Sequence, residues 1–289
     1  MTVSLAGPVR GPSRKRACVV GWPVAHSRSP LIHGYWLERY GIAGSYLREA
    51  VRPEEAAEFL RSLRVRGFVG CNVTIPHKET AFRVADETLP AARAAGAANT
   101  LWFEGDRLLA DNTDGAGFVS NIRATVPDFA FKGAVVALLG AGGAARGIVH
   151  ALLEVGAGEV RLFNRTRERG DAIAAAFGPR VKAFGWSERE ERSRGASLLV
   201  NTTPLGMHSA GPLDMDLDVL DGNCVVADIV YVPLVTPLLA AARKRGLATV
   251  DGLGMLLHQA VPGFERWFGV RPEVTEDLRA VLVRDIEGA

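Results

Sequence analysis

Apolar positions follow two rhythms along this chain, and the two alternate. Short aliphatic or β-branched runs read as strands at residues 17–22, 45–51, 68–74, 134–140, 159–164, 180–184, 197–201, 224–231 and 247–252. Longer segments between them carry helix signals. Residues 30–41 open on Pro30 and close on Gly41, and residues 53–67 open on proline and acids and end in glycine. Residues 117–126, 143–156, a stretch after Thr166 and 236–246 complete the set. Such alternation specifies parallel strands covered by helices. It runs as two series that meet near Gly115, so two sheets are expected. Residues 97–115 read as two strands joined through Gly105-Asp106, a hairpin. In the last segment, Val274, Leu278, Val281, Leu282 and Ile286 share one helix face. No strand follows, so that face is expected to pack back on one of the sheets.

Composition narrows the function classes. The chain has 289 residues, room for two domains, with 48% hydrophobic and 23% charged residues. A net charge of +2 gives no electrostatic case for nucleic acid or membrane. The basic start before residue 17 leads into an apolar stretch too short for a signal segment, and no run reaches the ~20 residues of a spanning helix. A cytoplasmic location is expected. Cys18, Cys71 and Cys224 are widely spaced and fit reduced core thiols; the histidines show no metal-ligand spacing, and no metal is expected. Residues 1–16 carry no motif and read as a frayed start.

Residues 134–147, "AVVALLGAGGAARG", place Gly140-x-Gly142-x-x-Ala145 between a buried strand and a helix. Gly140 permits the tight turn and Gly142 a close pyrophosphate. Ala145 permits helix–strand packing, and Ala141, Gly143 and Ala144 present the helix N-terminus to phosphate. A bare glycine turn is the alternative, but strand and helix are both in place. The next strand ends at Asn164, twenty-two residues beyond Gly142, where an NAD site carries a carboxylate for the ribose 2′-hydroxyl. Here "NRTRERG" offers Asn164, Arg165, Thr166 and Arg167, with no acid before Glu168. Arginine suits a 2′-phosphate, so NADP is favoured over a merely solvated basic turn.

Short polar side chains gather at strand ends and loop starts: Ser27 and Ser29 in "HSRSP", Asn72, Thr74 and Lys78 in "NVTIPHK", Asn99 in "GAANT", Asp111, Asn112 and Asp114 in "DNTDG" and Gln259 in "DGLGMLLHQA". Asn72 and Thr74, two apart on a strand, share a face. Each has a plain alternative as a helix cap, turn or surface residue. His77 and His208 receive no role, the latter reading as part of a surface loop.

With "NRT", "NTTPLGM" and "DIVYVPLVTPLL" added, these motifs in this order resemble the shikimate dehydrogenases from residue 17 to about 268. The resemblance implies NADP-dependent interconversion of 3-dehydroshikimate and shikimate. It implies an α/β fold with a mixed-sheet substrate domain (1–114 and 253–289), a Rossmann-type NADP domain (115–252) and C-terminal helices returning to the first domain. It implies a catalytic pair, Lys78 and Asp114, with Lys78 as acid in the reduction. The implied substrate shell is Ser27, Ser29, Asn72, Thr74, Asn99, Asp114, Tyr231 and Gln259. Gly252, Met255 and the Thr202 loop would flank the nicotinamide. Rival readings are an NAD-using quinate/shikimate dehydrogenase, a non-catalytic NADP sensor on the same fold, and a folate enzyme of similar architecture. Gly115 and Gly252 are candidate hinges. A monomer or homodimer is expected.

Overall fold

The computed structural model describes residues 14–207 and 209–288; residues 1–13, His208 and Ala289 lie outside the described residues. The first half alternates β1 (Lys15–Gly21), α1 (Ser29–Arg39), β2 (Gly44–Ala50), α2 (Ala56–Arg61), β3 (Gly70–Val73), α3 (Lys78–Val84), β4 (Glu87–Thr88), α4 (Pro90–Ala95), β5 (Thr100–Glu104) and β6 (Arg107–Asp111). These strands form a mixed sheet ordered β2-β1-β3-β5-β6-β4, with β5 antiparallel to both β3 and β6. The expected hairpin is β5–β6. Lys15 and Arg16, expected to fray, instead pair with Gly44 and Ser45 as the start of β1.

A second series follows: α5 (Asp114–Thr125), β7 (Val135–Leu139), α6 (Gly143–Glu154), β8 (Glu159–Asn164), α7 (Arg167–Phe177), β9 (Val181–Gly185), α8 (Arg189–Arg192), β10 (Leu198–Asn201), β11 (Val225–Asp228), α9 (Pro237–Lys244) and β12 (Thr249–Val250). Its all-parallel sheet runs β12-β11-β10-β7-β8-β9. That is the doubly wound order, in which the crevice for a ligand opens between β7 and β10, where the strand order reverses.

Two closing helices, α10 (Gly252–Phe268) and α11 (Glu276–Glu287), cross back to the first sheet. Alternation within β1 divides the layers. Ala17 and Val19 join a core with Trp36 of α1 and Leu253, Leu257 and Phe264 of α10, while Cys18 and Val20 face the opposite core with Leu60 and Cys71. Leu278, Leu282 and Ile286 of α11 enter the first of these cores. The terminal face therefore rests on the α1–α10 layer over the sheet.

Small residues let α5 and α10 cross closely. A Cβ on Gly117 would stand 2.7 Å from the Gln259 backbone nitrogen, and one on Gly254 would overlap the Asn121 amide. Asn121 Nδ2 also donates to the Asp251 carbonyl at 2.7 Å. This crossing carries the start of α5 toward Gln259. Gly115 and Gly252, the candidate hinges, are both tightly packed, against the carbonyls of Gly147 and Ile229. Cys18, Cys71 and Cys224 are free and buried.

Candidate active site

Polar side chains that end strands or open helices of the first sheet face the start of α6 and the loop after β11. Between them lies a cavity of about 280 Å³. Ser27, Ser29, Asn72, Thr74, Lys78, Asn99 and Asp114 line one side; Gly252, Met255 and Gln259 come from α10, Tyr231 from the loop after β11 and Ala144 from α6. The structure thus brings together seven of the nine polar positions read from the first half of the chain; Asp111 and Asn112 lie outside the lining, where Asp111 Oδ1 accepts from the Asn112 N–H and Asn112 Nδ2 donates to the Ala97 carbonyl.

Lys78 and Asp114 each open a helix, α3 and α5. Their side chains meet with Lys78 Nζ donating to Asp114 Oδ2 at 2.6 Å, and both are largely shielded, at 29% and 14% side-chain exposure. The other carboxylate oxygen, Oδ1, accepts from Asn99 Nδ2 at 2.8 Å. Asn99 is fixed in turn: its Oδ1 accepts from the Thr113 backbone N–H at 2.9 Å and from the Thr100 hydroxyl at 3.0 Å. The Thr113 hydroxyl donates to the Gln259 carbonyl at 2.8 Å, tying the end of "DNT" to α10. A buried network satisfied in this way holds its members in one geometry. Lys78 keeps two N–H donors beyond the one given to Asp114.

Asn72 is 5% exposed. Its Nδ2 donates to the Asn99 carbonyl at 3.1 Å and to the Thr100 hydroxyl at 3.2 Å, and its Oδ1 accepts from the Tyr46 hydroxyl at 2.6 Å. Thr100, Thr113 and Tyr46 were not read from the sequence as site residues. The two threonines flank motif positions, but Tyr46 sits in a strand with nothing to single it out. Arg28 is a further addition. It lines the cavity, pairs with Asp285 of α11 at 2.8 Å and stands over the Tyr231 ring. Arg48 donates to the Ser27 carbonyl at 3.0 and 2.7 Å, fixing the loop that carries the two serines. His77 is buried, with Nε2 2.7 Å from the Val51 carbonyl, which gives it a structural place away from the cavity.

Gly140, Ala141, Gly142 and Gly143 continue from Ala144 along the C-terminal edge of the parallel sheet, outside the cavity lining. Gly140 has φ +105°, a conformation that favours glycine, and a Cβ there would press on the Thr202 hydroxyl at 2.7 Å. Thr202 follows β10 and bonds the Leu139 carbonyl at 2.6 Å, so both sides of the β7–β10 crevice are defined. Nothing lies within 4 Å of a Cβ built on Gly142 or Gly143, and the first turn of α6 has neither a side-chain cap nor an acid. Asn164 Oδ1 accepts from the Ala141 N–H at 3.2 Å and its Nδ2 donates to the Thr166 carbonyl at 2.7 Å, which joins the glycine turn to "NRT". Arg165 is exposed with no ion-pair partner among the described residues, whereas Arg167 lies 3.4 Å from Asp171 and 3.9 Å from Glu188. An open glycine cradle, free helix N–H groups and an unpaired arginine fit the phosphates of a dinucleotide carrying a 2′-phosphate. The site's residues fit NADP.

Behind the cavity wall, Asp228 ends β11 and is 2% exposed. It accepts from Asn201 Nδ2 at 2.9 Å, from the Val230 N–H at 3.0 Å and from the Thr236 hydroxyl at 2.7 Å. It thereby joins the Thr202 loop to the Tyr231 loop. Burial pushes its carboxyl up to about 6, against the opposing pull of those three donors.

Three family models match the chain: "Shikimate dehydrogenase substrate binding domain" over residues 19–101, "Shikimate / quinate 5-dehydrogenase" over 123–203 and "Shikimate 5'-dehydrogenase C-terminal domain" over 252–282. The shikimate dehydrogenase (NADP(+)) of Azorhizobium caulinodans is 54% identical over 272 residues, covering 94% of this chain and 97% of the relative. That of Paracoccus denitrificans is 53% identical over 268 residues, covering 92% and 95%. Among solved structures, the shikimate 5-dehydrogenase of Thermus thermophilus in complex with NADP(H) and shikimate superposes with a TM-score of 0.82 at 36% identity, covering 94% of this chain and 99% of that one.

Proposed function

We infer the role of each cavity residue from one premise: the chain belongs to the shikimate dehydrogenase family. Its activity is the NADP-dependent reduction of 3-dehydroshikimate to shikimate and the reverse oxidation, a step of aromatic amino-acid biosynthesis. The observation that carries the residue assignment is the Lys78–Asp114 pair, 2.6 Å apart and facing the cavity.

Bound NADPH supplies the hydride for the ketone carbon. The protein must then stabilise and protonate the oxygen on which negative charge grows. Lys78 does both: an N–H left free by Asp114 points charge at that oxygen and delivers the proton. Asp114 holds Nζ in place through Oδ2, and Asn99 holds Asp114 through Oδ1. By microscopic reversibility, oxidation of shikimate returns the proton to Nζ.

The remaining residues bind and orient. Ser27 and Ser29 take the substrate carboxylate, with Tyr231 across the cleft. Asn72, Thr74, Asn99, Asp114 and Gln259 meet the ring hydroxyls. A site that bonds each hydroxyl discriminates strongly, because an analogue lacking one leaves a buried group unpaired. Gly140 to Ala144 cradle the NADP pyrophosphate, Asn164, Arg165, Thr166 and Arg167 hold the adenosine side with its 2′-phosphate, and Thr202, Gly252 and Met255 flank the nicotinamide. This division makes residues 1–114 and 253–289 the substrate-binding unit and 115–252 the NADP unit. No helix among the described residues is long and apolar enough to cross a membrane; a biosynthetic role with small soluble metabolites fits the cytoplasm.

The test is NADPH oxidation with 3-dehydroshikimate, run against NADH, together with shikimate against quinate in the oxidation direction. Preference for NADPH and shikimate supports the reading. Preference for NADH and turnover of quinate would replace it with the quinate/shikimate alternative.

A further inference from the structure

We propose that Tyr46 is a positioning residue for this reaction: its hydroxyl, reaching from edge strand β2, anchors the acceptor end of the Asn72 amide and fixes the direction of the lone pair that Asn72 offers the substrate cavity. The inference rests on the reading that Asn72 meets a substrate hydroxyl.

The register explains how the two residues meet. Strand β1 lies between β2 and β3, with Ala17 opposite Tyr46 and Val19 opposite Asn72. Tyr46 and Asn72 are thus diagonal neighbours across β1 on the face that carries Ala17 and Val19. The methyl side chain of Ala17 leaves the phenol room to pass over it.

An amide side chain is nearly symmetric in shape, and half a turn about its last torsion exchanges donor and acceptor. The Asn99 carbonyl selects between the orientations, since a phenol hydroxyl can donate or accept and anchors whichever end faces it. The Tyr46 hydroxyl donates to Oδ1 at 2.6 Å, and the Asn99 carbonyl, which can only accept, takes a hydrogen bond from Nδ2 at 3.1 Å. The Thr100 hydroxyl, whose hydrogen goes to Asn99 Oδ1, likewise accepts from Nδ2 at 3.2 Å. With both Nδ2 hydrogens engaged, Oδ1 keeps one lone pair, and its direction is set by Tyr46.

Tyr46 is itself held. Its ring stacks on His33 at 4.0 Å with 10° between planes, and Trp267 closes another side at 5.9 Å. Neither His33 nitrogen has a hydrogen-bond partner among the described residues, so the imidazole serves as a flat plate. Burial pushes His33 down to about 3 and pushes the Tyr46 phenol well above its ordinary value. Tyr46 therefore remains a donor, and His33 uncharged, throughout the working pH range.

The experiment uses the full-length enzyme with four variants: Tyr46→Phe, Asn72→Ala, the double variant and His33→Phe. KM for shikimate, KM for NADP and kcat are measured for each. Tyr46→Phe should raise KM for shikimate about tenfold, the scale of one hydrogen bond, while KM for NADP stays within about twofold and kcat within about threefold. The double variant should bind shikimate no worse than Asn72→Ala alone, since both act through one amide. His33→Phe keeps a stacked ring and should leave KM unchanged. An Asn72→Ala variant with normal KM overturns the assignment of Asn72 and the inference with it. A raised KM in Asn72→Ala but not in Tyr46→Phe overturns the inference alone, as does an equal rise in His33→Phe, which would mean that ring packing matters and the hydroxyl does not.

Discussion

Lys78 Nζ lies 2.6 Å from Asp114 Oδ2 although Lys78 opens α3 and Asp114 opens α5. A helix N-terminus favours the carboxylate and disfavours the ammonium. Asp114 is thus well placed for its helix and Lys78 is not. Asp114 offsets the cost of the ammonium at that position.

Asp114→Asn tests this coupling. The amide keeps the shape but cannot hold an ammonium by charge, so kcat should fall on the order of 10²-fold. KM for shikimate should rise as well, because the proposed site gives the same side chain a substrate hydroxyl. Steady-state kinetics check both, and an unchanged kcat would remove Asp114 from the reacting pair.

Arg165 has no ion-pair partner among the described residues and stands at the end of β8. Arg165→Ala should raise KM for NADPH on the order of tenfold or more, the value of a charge-assisted phosphate contact. KM for NADH should hardly move. Equal losses with both cofactors would mean that Arg165 does not face the 2′-phosphate.

Two buried groups pull stability in opposite directions with pH. His33, held at about 3 when folded, protonates near 6.5 when unfolded. The unfolded chain then binds the extra proton, so stability is lost as pH falls below about 6.5. The slope is about 1.4 kcal/mol per pH unit. His33→Phe should flatten that acid limb by this amount in urea titrations at pH 7, 6 and 5. An identical slope in the variant would show that His33 is not buried neutral.

Asp228 has the reverse sign. Its folded value of about 6 exceeds the unfolded value near 3.9. Its contribution is full below about 3.9 and is lost as pH rises through 6. Asp228→Asn should therefore narrow its stability gap from the wild type as pH rises from 4 to 7. A gap that widens would mean that its three donors outweigh burial.

Elements with strong local signals were legible in the sequence. Strand β8 occupies residues 159–164 as read, and the Gly105-Asp106 turn joins β5 to β6. The helix expected over 53–67 shortens to Ala56–Arg61, since Leu63 is buried from a turn that its apolar pattern cannot distinguish from a helix. Strand β4 and helix α4 gave no signal. β4 has two residues, and α4 buries only Ala92 and Ala95. The cavity lining was legible where side chains lie near one another in short motifs, as at Asn72, Thr74 and Lys78. Tyr46 was not legible, because its meeting with Asn72 depends on the β2-β1-β3 order. Asp228 was quoted within a motif but received no role, since the loops it joins meet only in the fold.

The most direct test of the account is Lys78→Ala, measured as kcat for NADPH oxidation with 3-dehydroshikimate alongside the Kd for shikimate by titration. Removing the proton donor and the charge on the oxygen should lower kcat on the order of 10³-fold. The shikimate Kd should stay within about threefold, because the proposed contacts from the serines, Asn72 and Gln259 remain. Turnover close to that of the wild type would contradict the assignment of Lys78 as the acid.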